Sequence, residues 1–404
     1  MRCFLGNRTI PVSLNAATLL VAALIVHMIA AQTVIVLPGF VQGLIHYRGF
    51  SDRQAGLIAS AETSGMALAT VALMVLARRI SWRVTCLASL LLLIVGNLAA
   101  AIIGEFSLFA LVRFVIGIGA GVLISLTYGV IGMTERSDRN FGICIMVVLT
   151  YGSCVFPTMP FLYAHIGLMG LLLLFAGLAA CGLPFVRYLP DSAEVHSDTD
   201  TLPTDAVNVG TRLKVMALGS VLIYFVANFS VWSYFWRIGV SAGIAEQQAS
   251  NSLGISQLFG IAGAFTTALV GTRLGRPLPL AVGLLGSMAC IACLLVPMGP
   301  LAFGVIAALY NYVWNMTHPY LLGTMASLDR KGGMVVYAVA MQYIGISLGP
   351  ASAALVVGKD RYEHVITLGL AGFAVCLMLI LPPVLTQARV AAARNLRAPP
   401  QRHN

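Results

Sequence analysis

The stretch Leu14-Asn-Ala-Ala-Thr-Leu-Leu-Val-Ala-Ala-Leu-Ile-Val-His27-Met-Ile-Ala-Ala-Gln32-Thr-Val-Ile-Val-Leu37 carries no charged side chain. About 20 apolar residues in a helix cross the hydrocarbon core of a bilayer, and this run is long enough. It also exceeds the roughly 7–15 apolar residues of a cleavable signal peptide, so it reads as an uncleaved first span. Similar runs recur down the chain. A membrane barrel would instead show alternating segments of about ten residues, and that alternation is absent. The expected class is an all-α membrane protein.

Composition supports this. Hydrophobic residues make up 59% of the 404, charged residues only 9%, and mean hydropathy is +0.91. A soluble domain carries about 25% charge. So few charges cannot cover a water-facing surface, so most of the surface must meet lipid. Twelve spans are expected, at roughly 14–38, 54–77, 82–103, 106–133, 141–163, 167–189, 214–239, 247–271, 277–298, 300–327, 334–358 and 363–387. They fall as six, a polar gap with Asp191, Glu194, Asp198, Asp200 and Asp205, then six. The expected organisation is a six-helix bundle over 1–189, a cytoplasmic linker over 190–213, and a second six-helix bundle over 214–404 ending in a short basic tail.

The net charge of +10 does not call for nucleic acid. With the N-terminus inside, 18 of the 24 Lys and Arg fall in loops or tails on the cytoplasmic side and four (Arg48, Arg53, Lys359 and Arg361) on the other. That asymmetry places both termini in the cytoplasm. Arg far outnumbers Lys, as in a GC-rich bacterial genome, so a bacterial inner membrane is expected. The eight cysteines make no disulfide framework. Cys290 and Cys293 form a C-x-x-C inside an apolar run with no second pair, so no metal site is expected. No cofactor is expected either, since no phosphate-binding loop or catalytic constellation appears.

Three local patterns resemble the major facilitator superfamily. After the second span stands Arg78-Arg79-Ile80-Ser81-Trp82-Arg83, and after the eighth stands Gly271-Thr272-Arg273-Leu274-Gly275-Arg276. Both resemble the family's basic loop, with Arg79, Arg83, Arg273, Gly275 and Arg276 kept. Arg78 and Thr272 stand where the family carries Asp, and Ser81 where it carries Gly. In the fourth span, Arg113-Phe-Val-Ile-Gly117-Ile-Gly119-Ala120-Gly121 resembles the family's Arg-x-x-x-Gly-x-Gly, with Gly117 and Gly121 suited to close helix packing. In the eleventh, Gly345-Ile-Ser-Leu-Gly349-Pro350 resembles a pattern that antiporters carry in the fifth span. The resemblance covers nearly the whole chain. It implies twelve helices in two six-helix bundles, a monomer, and a central cavity lined by the first, fourth, seventh and tenth helices.

Several side chains in the spans are ones that lipid rejects. His27 reads either as a titrating proton or anion site or as a neutral, hydrogen-bonded imidazole. Glu62 reads as a proton-coupling carboxylate or as one paired near the outer end, with Arg113 a plausible partner. Arg113 itself reads as functional or as snorkelling to the outer interface. Gln32 joins His27 in the first span. In the seventh, Tyr224, Asn228, Trp232 and Phe235 fall on one stripe. In the tenth, Asn311, Trp314, Asn315 and His318 lie together. An interfacial aromatic belt accounts for Trp236 and Tyr320, and Arg237 reads as a cavity cation or an outer anchor.

The expected function is secondary active transport of a small organic solute by alternating access, coupled to protons. The solute reads as an amphiphile, aromatic or anionic in character, since Arg113, Arg237, His27 and His318 stand against Glu62 alone. Export is favoured, with import of an organic or aromatic acid as the alternative. A membrane sensor or scaffold is the alternative of another class.

Overall fold

The computed structural model describes residues 17–77, 79–192, 209–328, 333–358 and 361–397. Arg78 and most of the 190–213 linker lie outside them. The helices in chain order are α1 (Ala17–Ile35), α2 (Leu37–His46), α3 (Asp52–Leu76), α4 (Trp82–Ile102), α5 (Phe106–Gly132), α6 (Ser137–Ile166), α7 (Leu168–Gly182), α8 (Thr211–Ser241), α9 (Glu246–Val270), α10 (Pro277–Ala292), α11 (Pro300–Ser327), α12 (Gly333–Val356) and α13 (Glu363–Arg397). Helix is the form that satisfies every backbone N–H and C=O within its own segment, which lipid requires. The first span is α1 and α2 together, broken at Val36 (φ −97°, ψ 23°) just before Pro38.

Among the described residues, eleven helices are long and apolar enough to cross a membrane. The one expected span not among them is α11, which is 28 residues long but carries Tyr310, Asn311, Tyr312, Trp314, Asn315 and His318. Polar side chains in the middle of a span mark a helix that faces something other than lipid.

Short connections alternate between two sides. One side carries the basic turns, with Arg79, Arg83, Arg136, Arg273 and Arg276. The opposite side carries the 47–51, 103–105 and 242–245 connections, together with Gly358 and Arg361. Caps tie down its ends. Ser51 and Gln54 form a reciprocal capping box at α3. Glu105 caps α5 by accepting from Ser107 N and Leu108 N, and those bonds hold its carboxyl below the usual range. Arg48 donates to the carbonyls of Ala100, Ala101 and Ile103 where α4 ends.

Close approach fixes the packing. α3 lies on α5 and α12, α9 on α11 and α6, and α8 on α12 and α13. A Cβ on Gly117 would run into the Glu62 carbonyl, and one on Gly121 into that of Met66. Gly349 stands against the Phe229 backbone in the same way. Such small-residue contacts let helices meet where no hydrophobic drive separates protein from lipid. Three pairs, α3 with α12, α6 with α9 and, less extensively, α2 with α8, join the first six spans to the last six. In α6, Pro160 has no N–H for the Phe156 carbonyl, and Ser250 of α9 donates to it instead.

Gly117→Ala should therefore destabilise the protein by about 1–3 kcal/mol, the usual cost of forcing an extra carbon into a packed contact. Thermal denaturation in detergent reads this as a lower Tm. Gly104→Ala, whose Cβ meets open space, should leave the Tm unchanged.

Candidate functional site

Arg113 sits one turn before Gly117 on α5, and the α3–α5 contact carries it to Glu62. Its Nε donates to Glu62 Oε2 at 2.9 Å, and Nη2 donates to the same oxygen. Nη1 donates to Asn97 Oδ1 at 2.8 Å, Nη2 also to Thr33 Oγ1 at 3.1 Å, and the guanidinium lies 4.6 Å from the Phe40 ring centroid. Arg113 is fully buried and Glu62 nearly so. Snorkelling to the interface is thereby ruled out. The partners come from α1, α2, α3 and α4, so one cation fastens four elements.

Between the first six and last six spans is a cavity of about 190 Å³. His27 and Ala31 of α1, Tyr128 of α5 and Cys144 of α6 form one wall. Phe229 and Trp232 of α8, Gln257 of α9, and Asn311, Trp314, Asn315 and His318 of α11 form the other. It runs into a second, larger and more apolar chamber of about 630 Å³ that shares Tyr128, His318, Gln342 and Tyr343. That chamber reaches Ala77, Trp82, Phe141, Leu322 and Val335, which lie at the helix ends on the basic side.

The opposite end is shut by a chain of polar bonds. Tyr362 Oη donates to Asp52 Oδ1 at 2.5 Å, and Arg237 Nε donates to Tyr362 Oη at 2.9 Å. Arg237 also lies 3.7 Å from Asp52 and donates to Gln42 Oε1 at 3.4 Å. Gln42 Nε2 donates to Glu246 Oε1 at 2.5 Å, and Tyr47 Oη to Glu246 Oε2 at 3.2 Å. Burial and the Glu246 carboxylate push the Tyr47 hydroxyl up to about 12, so it stays a donor at neutral pH. Asp52, Gln42 and Tyr47 belong to the first spans, and Arg237, Glu246 and Tyr362 to the last. The bonds therefore clasp one half to the other.

The expected cavity residues divide. Trp232, Asn311, Trp314, Asn315 and His318 line the wall, and so does His27. Gln32 turns away to the Phe175 carbonyl. Tyr224 donates to the Trp314 carbonyl, Asn228 bonds Tyr224 and Tyr310, and Phe235 packs on Phe303 and Tyr310. The stripe 224–228–232–235 thus splits. α8 is buried nearly all round, and its cavity face runs 225–229–232. Trp236 is fully buried and Tyr320 nearly so, which corrects the interfacial-belt reading of both. Arg237 is neither a cavity cation nor a surface anchor but part of the clasp. Gln257 and Gln342 were outside the expected set. Their signal was an amide inside an apolar span, on helices other than the four that the family resemblance implies as cavity-lining.

The basic loops also differ. Gly271 and Gly275 hold φ +53° and +66°, which only glycine adopts cheaply. Ser81 holds φ −76° and caps α4 by accepting from Val84 N, so glycine is not needed there. Arg83 donates to the Leu189 carbonyl at 2.7 Å and pairs with Asp191 at 3.2 Å. Arg79 and Arg273 are exposed. Pro350 carries its carbonyl close to Gly56 of α3, where Ser60 donates to Ser347 O.

A helical membrane protein with a central cavity between two sets of spans, open to one side and clasped on the other, is a carrier by architecture. A family model of the Major Facilitator Superfamily matches residues 20–350, and the chain belongs to that superfamily of transporters. No curated protein matches the chain. Solved structures of the same fold include a nucleoside transporter, NupG (TM-score 0.70, 13% identity, 91% of this chain and 99% of that one). A D-xylose–proton symporter gives TM-score 0.68 at 14% identity over 92% of this chain and 96% of that one. A bacterial homologue of the human lysosomal transporter Spinster, inward-facing and unoccupied, gives 0.62 at 16% over 95% and 98%.

Arg113→Ala leaves the Glu62 carboxylate buried without its partner and should cost about 3–5 kcal/mol. Adding Glu62→Gln to that variant should recover much of the loss. A double-mutant cycle on Tm checks this; additive losses would show that the pair is not coupled.

Proposed function

We propose that the protein is a proton-coupled secondary transporter that moves a small organic amphiphile through the central cavity by alternating access. The observation that carries this reading is the cavity's asymmetry: a polar clasp on one side, and on the other an apolar chamber leading out among the basic turns. With those turns in the cytoplasm of a bacterial inner membrane, as the charge distribution supports, both termini are cytoplasmic and the arrangement is inward-open. The halves 1–189 and 214–404 then rock about the α3–α12 and α6–α9 contacts, and breaking the clasp opens the outer side. The reading needs only one chain, so a monomer suffices.

Glu62 is the proposed coupling carboxylate. Protonating it releases Arg113, and the guanidinium can then regroup on Asn97 and Thr33. That links one proton to the packing of α1, α3, α4 and α5. One structure of the same fold is a proton symporter, which accords with this role. Export is the proposed direction, resting on the Gly345…Pro350 pattern of α12.

Inside-out proteoliposomes with an acid lumen test coupling and direction together. Solute should accumulate in the lumen as protons leave; depletion would mean import, and indifference to the gradient would remove the coupling. Glu62→Gln should abolish the uphill movement and spare exchange.

The clasp is tested by replacing Gln42 and Glu246 with cysteine in a background without the eight native cysteines. A short bifunctional thiol reagent should join the pair and stop flux, and a reducible version should restore it on reduction. Undiminished flux in the linked protein would refute the outer opening.

A further inference from the structure

The solute's charge can be read from the cavity wall. Among the described residues, no Asp, Glu, Lys or Arg lines either chamber. The charges nearest the halves' interface are taken up elsewhere. Arg113 and Glu62 neutralise each other inside the first spans, and Arg237 sits with Asp52 in the clasp. An ion entering this wall would shed water and find no carboxylate, ammonium or guanidinium to pair with, at a steep desolvation cost.

The wall is nonetheless rich in neutral hydrogen-bonding groups. Gln257 is about 1% exposed, lines the cavity, and its Nε2 has no hydrogen-bond partner. A buried donor left open in this way calls for an acceptor. Asn311 gives its Nδ2 to Ser256 Oγ, and Asn315 gives its own to the Asn311 carbonyl, which leaves both Oδ1 atoms as acceptors. Pro319 has no N–H, so the Asn315 main-chain carbonyl lacks its in-helix donor as well. The Thr127 hydroxyl donates to the Leu123 carbonyl, so it accepts from His27 Nδ1–H at 2.9 Å, and the Nδ1–H tautomer of the imidazole offers Nε2 as an acceptor. Trp232 and Trp314 stand edge to face at 5.6 Å beside these groups and present an apolar surface.

We propose that the cavity takes an uncharged solute bearing hydroxyl or amide groups on an apolar ring or chain. The polar groups meet Gln257, Asn311, Asn315 and His27. The apolar part lies on Trp314 and Trp232 and extends into the second chamber. This replaces the anionic solute expected from counting cations along the spans. It rests on the transporter reading only in taking this cavity as the solute's site.

The test uses three probes on one ring: 4-nitrophenyl glucoside, 4-nitrobenzoate and 4-nitrobenzyl-trimethylammonium. Binding to the full chain in lipid nanodiscs is followed by quenching of tryptophan fluorescence. The glucoside should bind about tenfold or more tightly than either ion. Asn311→Leu should weaken the glucoside with little change for the ions. Asn311→Asp places a carboxylate on the wall and should turn the preference toward the ammonium probe. Both variants are compared at matched Tm and elution volume, and Gln257→Leu serves if either fails to fold. A glucoside that binds no better than an ion in the unaltered protein overturns the inference. Counterflow of whichever probe binds reports on transport separately, so an ion that binds and exchanges would refute the uncharged solute and leave the carrier standing.

Discussion

Arg113 is wholly buried, and much of the first half is arranged around that fact. A guanidinium held in a low-dielectric interior needs a countercharge and enough acceptors for its donors. Glu62 supplies the charge, while Asn97, Thr33 and the Phe40 ring supply the rest. The geometry is available because α3 and α5 touch backbone to backbone at Gly117 and Gly121. A larger residue there would push the carboxylate away from the cation. Packing and electrostatics are therefore one constraint at this site, and the break at Val36 carries Phe40 and Thr33 to it from two helices.

The two ends of the interface between halves are built from different materials. On the side away from the basic turns, tyrosine, glutamine, arginine and carboxylate side chains bond across it. Such bonds are directional and can be exchanged for water with a small net change. Between the ends, serine hydroxyls, glycines and the proline-freed carbonyl of Phe156 bring α3 to α12 and α6 to α9. Those contacts tolerate rotation better than separation, since they depend on close approach. A clasp that water can replace, set above contacts that can pivot, suits a molecule that opens one side at a time.

The same division explains the low hydropathy of α11. Its amides and aromatics are addressed to the cavity and to α8 and α9, not to lipid. A helix with this pattern would be costly as a lone span and is stable here because Ser256, Tyr224 and Thr267 bond to its side chains or backbone.

The sequence by itself determined the helical membrane class, the alternation of sides and the family. Each depends on local quantities: the length of apolar runs, the placement of arginines between them, and short motifs such as Arg113…Gly121. It also pointed to Glu62 and Arg113, because a carboxylate and a guanidinium within apolar spans have few partners to choose from. It pointed to Asn311, Trp314 and Asn315 because lipid rejects amides. Only the tertiary structure decided which polar groups face the cavity. Asn228 and Tyr224 looked equivalent to Trp232 by helical spacing, yet they face α11 and α13, because α8 is covered on every side. Asp52 and Glu246 are acids in the first turn of their helices with nothing local to mark them, and they form a clasp only with Arg237, Tyr362, Gln42 and Tyr47, from up to 310 positions away in the chain. Periodicity reports which face a residue is on; what that face meets depends on neighbours that the local pattern does not contain.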